Sequence, residues 1–157
     1  MRVLAVVALT LCTPLPAAAE CAPGGLVFSC QIGAKVLELC RKADNITYSF
    51  GPPGAPELRL SAPLVTLDYE PWPGIGSSVW EQVTFGNGGY SYTVWTRTDR
   101  NFDGLNAGIE VSRGASSVAS LYCDAGSASN QLYDTLYAMK ESVGLCWGGP
   151  NDGWTGC

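Results

Sequence analysis

Val79-Trp80-Glu81-Gln82-Val83-Thr84-Phe85, then Gly86-Asn87-Gly88-Gly89, then Tyr90-Ser91-Tyr92-Thr93-Val94-Trp95-Thr96 is the stretch that decides the fold. Two runs with period-two alternation flank a glycine-rich tetrapeptide, the pattern of two half-buried strands. Asn-Gly between such runs is the strongest short-range signal for an antiparallel hairpin, because both residues tolerate positive φ. A lone hairpin is marginal in water, so the rest of the chain must supply further strands.

It does so on both sides. Toward the N terminus, Leu26 to Cys30 and Lys35 to Cys40 are short β-prone runs around Ile32-Gly33-Ala34, a first hairpin that places Cys30 near Cys40. Asn45 to Phe50 alternates and is ended by Gly51-Pro52-Pro53-Gly54. Glu57 to Leu60 is another short strand, and the Pro- and Gly-rich stretch from Pro63 to Gly76 reads as a long loop centred on Trp72. Toward the C terminus, Ala107 to Ser112 and Val118 to Cys123 are strands split by the turn Arg113-Gly114-Ala115-Ser116. The period then changes: Leu132, Leu136 and Val143 fall on one helical stripe beside Tyr133 and Tyr137, with Ser129 as N-cap and Gly144 as stop. This predicts one helix over about 129–143 and an irregular tail from Cys146 to Cys157 closed by a cysteine pair. The expected fold is mainly β, an antiparallel sandwich or barrel of about seven or eight short strands with one C-terminal helix, stapled by disulfides.

Met1-Arg2, the apolar run from Val3 to Cys12 and Ala17-Ala18-Ala19 follow the three-part plan of a secretory signal peptide. Residues 1–19 are read as that signal, and 20–157 as a single exported domain, periplasmic or secreted. The apolar run is too short to span a bilayer. Of the seven cysteines, Cys12 leaves with the signal, and Cys21, Cys30, Cys40, Cys123, Cys146 and Cys157 remain. An even number in an exported chain predicts three bridges, although about 15 pairings are possible. The chain carries 9 basic and 14 acidic residues. Removing Arg2 leaves 8 against 14, a net charge of −6. Such a surface disfavours nucleic acid and anionic membranes and favours a basic protein partner.

The chain has no histidine, which excludes Ser-His-Asp, Cys-His and histidine-metal sites. Carboxylate chemistry would have to draw on Glu38, Glu57, Asp68, Glu70, Glu81 and Glu110, which a solvated strand face accounts for. No catalytic residue is assigned. Asp99, Asn101, Asp103 and Glu110 match the D-x-[DN]-x-[DN]-G-x5-E spacing of a calcium loop, although they lie between strands and turn chemistry yields the same letters. Calcium is the cofactor this spacing would imply, whereas zinc is disfavoured because the cysteines lack paired CxxC spacing and no histidine completes a site. Among the 5 tryptophans, Trp72, Trp147 and Trp154 lie in Pro/Gly-rich segments, suited to gripping a protein partner or stacking on a cell-wall glycan. Trp80 and Trp95 lie in strands and are read as core or sheet-face residues. Asn45-Ile46-Thr47 fits a glycosylation acceptor but sits inside a strand.

The cysteines, the first hairpin, Tyr48-Ser49-Phe50-Gly51, Pro56-Glu57-Leu58 and Phe85-Gly86-Asn87-Gly88-Gly89-Tyr90-Ser91-Tyr92 together resemble small exported bacterial β-domain proteins, in plan the periplasmic lysozyme inhibitors. The resemblance covers roughly residues 21 to 123. It implies a non-catalytic protein that blocks a lysozyme cleft with a protruding loop. Gly88, Gly89, Tyr90 and Ser91 are then the loose analogue of the family's Ser-Gly-x-x-Tyr segment, and a basic lysozyme would suit the acidic surface.

Overall fold

The computed structural model describes residues 21–101 and 104–157. Residues 1–19, read above as a signal, and Asp103 lie outside the described residues. Each expected strand is present, most of them slightly longer than the sequence suggests: β1 (Leu26–Ile32), β2 (Lys35–Lys42), β3 (Asn45–Gly51), β4 (Leu58–Pro63), β6 (Ser78–Asn87), β7 (Tyr90–Asp99), β8 (Asn106–Arg113) and β9 (Ser116–Tyr122). Four more strands were not expected. β5 (Asp68–Glu70) interrupts the Pro63–Gly76 loop by pairing with β6. β10 (Ser129–Asn130) pairs with β1, and β11 (Leu145–Trp147) with β12 (Trp154–Gly156) turns the tail into a hairpin.

The strands form two five-stranded antiparallel sheets, ordered β10-β1-β2-β3-β4 and β5-β6-β7-β8-β9, plus the small β11-β12 pair. Alternation explains the packing. Leu37, Leu39, Ile46 and Tyr48 of the first sheet and Val83, Phe85, Val94 and Ile109 of the second are buried in one shared core, so the sheets face each other as a sandwich. Tyr48 bridges the layers, its ring 5.6 Å from Phe85 and 6.1 Å from Tyr92.

The central hairpin turns one residue later than the Asn-Gly signal implies. Asn87 is paired with Tyr90, and the turn residues are Gly88 (φ 58) and Gly89 (φ 83). Two adjacent glycines take positive φ at no steric cost, so they displace Asn87 from the turn into β6.

The bridges are Cys21–Cys40, Cys30–Cys123 and Cys146–Cys157. The tail pair closes as expected. Cys30, however, reaches across to Cys123 rather than serving the first hairpin. Its loop of 93 residues encloses the whole β-rich middle and ties β1 to the residue after β9. Beside that bridge the segment after β9 runs along β1, with Asp124 N–H donating to Gln31 O at 2.7 Å and Gln31 N–H to Ser127 Oγ at 3.1 Å. One flank between the sheets is thereby closed. Three bridges favour an extracytoplasmic location, and no described helix is long and apolar enough to cross a membrane.

The helix is shorter than expected. It is a π-helical turn, Tyr133–Tyr137, running into α1 (Ala138–Ser142), and Gly144 follows at φ 80. Ser129 does not cap it: Ser129 and Asn130 both pair with β1, and strand alternation leaves Ser129 exposed and turns Asn130 inward. Asn130 Oδ1 instead accepts the Leu132 N–H at 3.0 Å. Leu132, Leu136 and Met139 are buried in the sandwich core.

Candidate functional site

The tail hairpin and the helix come together around Trp154. Register places Trp147 directly across from Trp154, their ring centroids 5.5 Å apart. Trp154 stacks on Tyr69 at 5.9 Å, meets Tyr137 edge-on at 5.1 Å, and donates its indole N–H to Tyr69 O at 2.7 Å. The Cys146–Cys157 bridge pins the hairpin that carries both tryptophans. Trp154 therefore joins tail, helix and β5, whereas Trp147, half-buried like Trp154, ends the cluster with its ring against Trp154.

Between this hairpin and the backbone of residues 65–70 lies a cleft of about 390 Å³, lined by Trp147, Trp154, Tyr69, Asp68, Glu70 and Lys140. That volume is in the range of small-ligand sites, and aromatic walls with a few polar groups are their usual composition. Lys140 is only 1% exposed. Its ammonium donates to Leu67 O at 2.7 Å and lies 5.7 Å from the Trp154 ring centroid. Burial pushes the ammonium pKa down, and Asp68 partly opposes this.

Beneath the cleft, Glu81 is 6% exposed. Its carboxylate accepts from Tyr69 OH at 2.9 Å and from Asn130 Nδ2 at 3.2 Å, with a further bond from the Tyr133 N–H. Burial raises its pKa against those bonds. The solvated-face reading fails for this residue. Glu81 shares strand parity with Val83 and Phe85, so β6 aims it into the core. Burial and the neighbouring Glu81 push the Tyr69 hydroxyl pKa up in turn.

The other sequence-derived candidates lie elsewhere. Trp72 satisfies itself locally, its indole N–H on Ile75 O at 2.8 Å and the Arg100 guanidinium 4.9 Å from its ring centroid. Gly88 and Gly89 form the exposed tip of the central hairpin, Tyr90 lies under the Arg113 guanidinium at 5.3 Å, and Ser91 pairs with Gly86 and Ser112. None of these lines the cleft.

Of the calcium-loop residues that are described, Asp99 and Glu110 do not converge. Asp99 ends β7, its carboxylate held by Ser78 and Arg97, whose hydrogen bonds lower its pKa in that order. Glu110 is held by Ser117 and Ser120, which lower its pKa likewise. Glu110 pairs with Thr93, and 99 − 93 puts it six residues along the ladder from Asp99. At about 3.4 Å per residue that is roughly 20 Å, too far to share one ion. Asn101 is exposed in the turn. Among the described residues no cluster of His, Cys, Asp or Glu could hold a metal.

Tyr69, Lys140 and Tyr137 are the residues sequence reasoning passed over. A signal for Lys140 exists, since Leu132, Leu136 and Lys140 recur at i, i+4 and i+8, which puts a lysine on the apolar stripe. Comparison of the chain with protein-family models, with curated proteins and with solved structures gave no match.

Proposed function

We propose that this chain is a non-catalytic, extracytoplasmic binding protein that holds a cell-wall glycan in the cleft between the tail hairpin and β5. The observation that carries this reading is that Trp147 and Trp154 line one cleft together with the carboxylate residues Asp68 and Glu70 and the segment 65–70. A saccharide ring offers one apolar face and a rim of hydroxyls, the complement of an indole beside hydrogen-bonding groups. Trp147 is the ring to test, because Trp154 is committed to packing and to Tyr69 O. Titration of N-acetylglucosamine oligosaccharides or peptidoglycan fragments, followed by tryptophan fluorescence and calorimetry, should show saturable binding. Trp147→Ala should weaken it about tenfold or more while the thermal midpoint stays close to that of the parent chain. Equal binding by the two proteins would remove the cleft from consideration.

A second reading, inhibition of a lysozyme, is favoured by the central hairpin. Residues 86–89 at its tip are exposed, and the Arg113 contact steadies Tyr90 beside them. The acidic surface suits a basic enzyme. Stoichiometric protein should then slow lysozyme-driven cell-wall lysis, and Tyr90→Ala should restore the rate. Undiminished lysis across several lysozyme types would end this reading.

A further inference from the structure

Strand parity sorts the second sheet into two faces. Glu81, Val83, Val94, Thr96, Ala107 and Ile109 point inward and are buried. Trp80, Gln82, Thr93, Trp95, Glu110 and Tyr122 therefore point outward, and each of them is half-buried or exposed. Pairing aligns these outer residues in rows that cross the strands. One row runs Glu70, Gln82, Trp95, Gly108, Tyr122, and the next runs Asp68, Thr84, Thr93, Glu110, Ser120.

The first row is an aromatic step on a flat floor. A Cβ at Gly108 would lie 2.9 Å from Trp95 Cζ2 and 3.1 Å from Cε2, so the missing side chain is what lets the indole lie down across β8. Tyr122 meets that indole edge-on at 5.8 Å and is 67% exposed. The second row is a string of hydroxyls and carboxylates already oriented by one another. Thr84 and Thr93 hydroxyls are 3.0 Å apart and Glu110 accepts from Ser120 in the row and from Ser117 beside it, while in the first row Gln82 donates to Glu70 at 2.7 Å. Polar groups held in place by their neighbours lose little entropy on meeting a ligand.

Asp68 and Glu70 belong to both surfaces, since they line the cleft and also begin the two rows. The cleft is thus continuous with the outer face. From β5 to β9 there are four inter-strand steps of about 4.8 Å, a path of roughly 19 Å.

We propose that an uncharged, unbranched glycan chain of several rings runs from the cleft across this face, stacking first on Trp147 and then on Trp95 and Tyr122. This rests on the cleft reading and names the length and charge of its ligand. The charge argument is complementarity. Asp68, Glu70 and Glu110 lie along the path, Arg97 of the outward face is paired with Asp99 and buried Lys140 in the cleft is committed to Leu67 O, so an anionic polysaccharide would meet repulsion. Linking two contact areas through one ligand makes the second contact intramolecular, so affinity should rise steeply with chain length.

The test is calorimetry with the disaccharide and the hexasaccharide of N-acetylglucosamine on the parent chain and on Trp147→Ala, Trp95→Ala and Tyr122→Ala. Tyr122→Ala guards against misfolding, because Tyr122 is largely exposed. The expected result is about tenfold or more tighter binding of the hexasaccharide, with that gain lost in Trp95→Ala and Tyr122→Ala and disaccharide affinity unchanged in both. Equal affinity for the two lengths, or a gain that survives both substitutions, overturns the extended path and leaves the cleft standing. Hexasaccharide binding that survives Trp147→Ala but disappears in Tyr122→Ala removes the cleft instead. No binding of either sugar by the parent chain overturns both.

Discussion

Glu81 sits where a carboxylate is least expected, inside the sandwich, with the Tyr69 hydroxyl, the Asn130 amide and the Tyr133 N–H directed at it. Burial outweighs those donors and raises its pKa. A carboxyl whose folded pKa lies above its unfolded value, about 4.3 for glutamate, stabilises the fold below that unfolded value. The contribution is lost as pH rises through the folded one. Glu81→Gln removes the titration while keeping the shape. Thermal melts should therefore show the midpoint of Glu81→Gln, relative to the parent chain, rising as pH increases from about 4.3 through the raised folded pKa. A difference that stays constant with pH would show that Glu81 is not held in a desolvated site. The exposed Asp99 and Glu110 act with the opposite sign, their lowered pKa values favouring the fold as pH increases through the acid range. Comparing variant with parent cancels their effect.

At the scale of one element, the helix depends on Asn130 more than on any propensity of its own. Five-residue helical pieces are not stable alone, so this one persists through Leu132, Leu136 and Met139 packed into the core. Asn130 makes the junction, its carbonyl oxygen holding the Leu132 N–H while its amide reaches Glu81. Asn130→Ala removes a cap and leaves a buried carboxylate short of a donor. The expected cost is about 2 kcal/mol in urea unfolding. A cost below about 0.5 kcal/mol would mean that Asn130 is replaceable by water. The period of the helix was legible in Leu132 and Leu136. The cap was not, because Ser129 and Asn130 are equally good capping residues, both pair with β1, and only the strand alternation that leaves Ser129 exposed and turns Asn130 toward Glu81 decides between them.

For the whole molecule, the three bridges differ in the length of chain they close. Cys30–Cys123 spans 93 residues and Cys146–Cys157 only 11. Loop-closure entropy then ranks them, at about 4–5 kcal/mol for the long loop and under about 3 kcal/mol for the short one. Replacing Cys30 and Cys123 together by serine should lower urea stability more than the same change at Cys146 and Cys157. The second pair has a different consequence, since opening the tail hairpin should release Trp147 and abolish sugar binding with the sandwich intact. Equal stability losses for the two double variants would contradict this ranking.

What the sequence determined by itself was everything set by local period and local stereochemistry. Alternation in Val79 to Phe85 and Tyr90 to Thr96, the Gly88-Gly89 turn region, the helical stripe of Leu132 and Leu136 and the six cysteines were enough for a disulfide-bonded, mainly β chain with one helix. The tertiary structure alone decided that Cys30 pairs with Cys123, that Trp154 stacks on Tyr69 across 85 positions, and that Asp99 and Glu110 part company along a ladder. Those outcomes follow from how two sheets stack and where the tail folds back. Such contacts join residues distant in sequence, and no period within a short window encodes them.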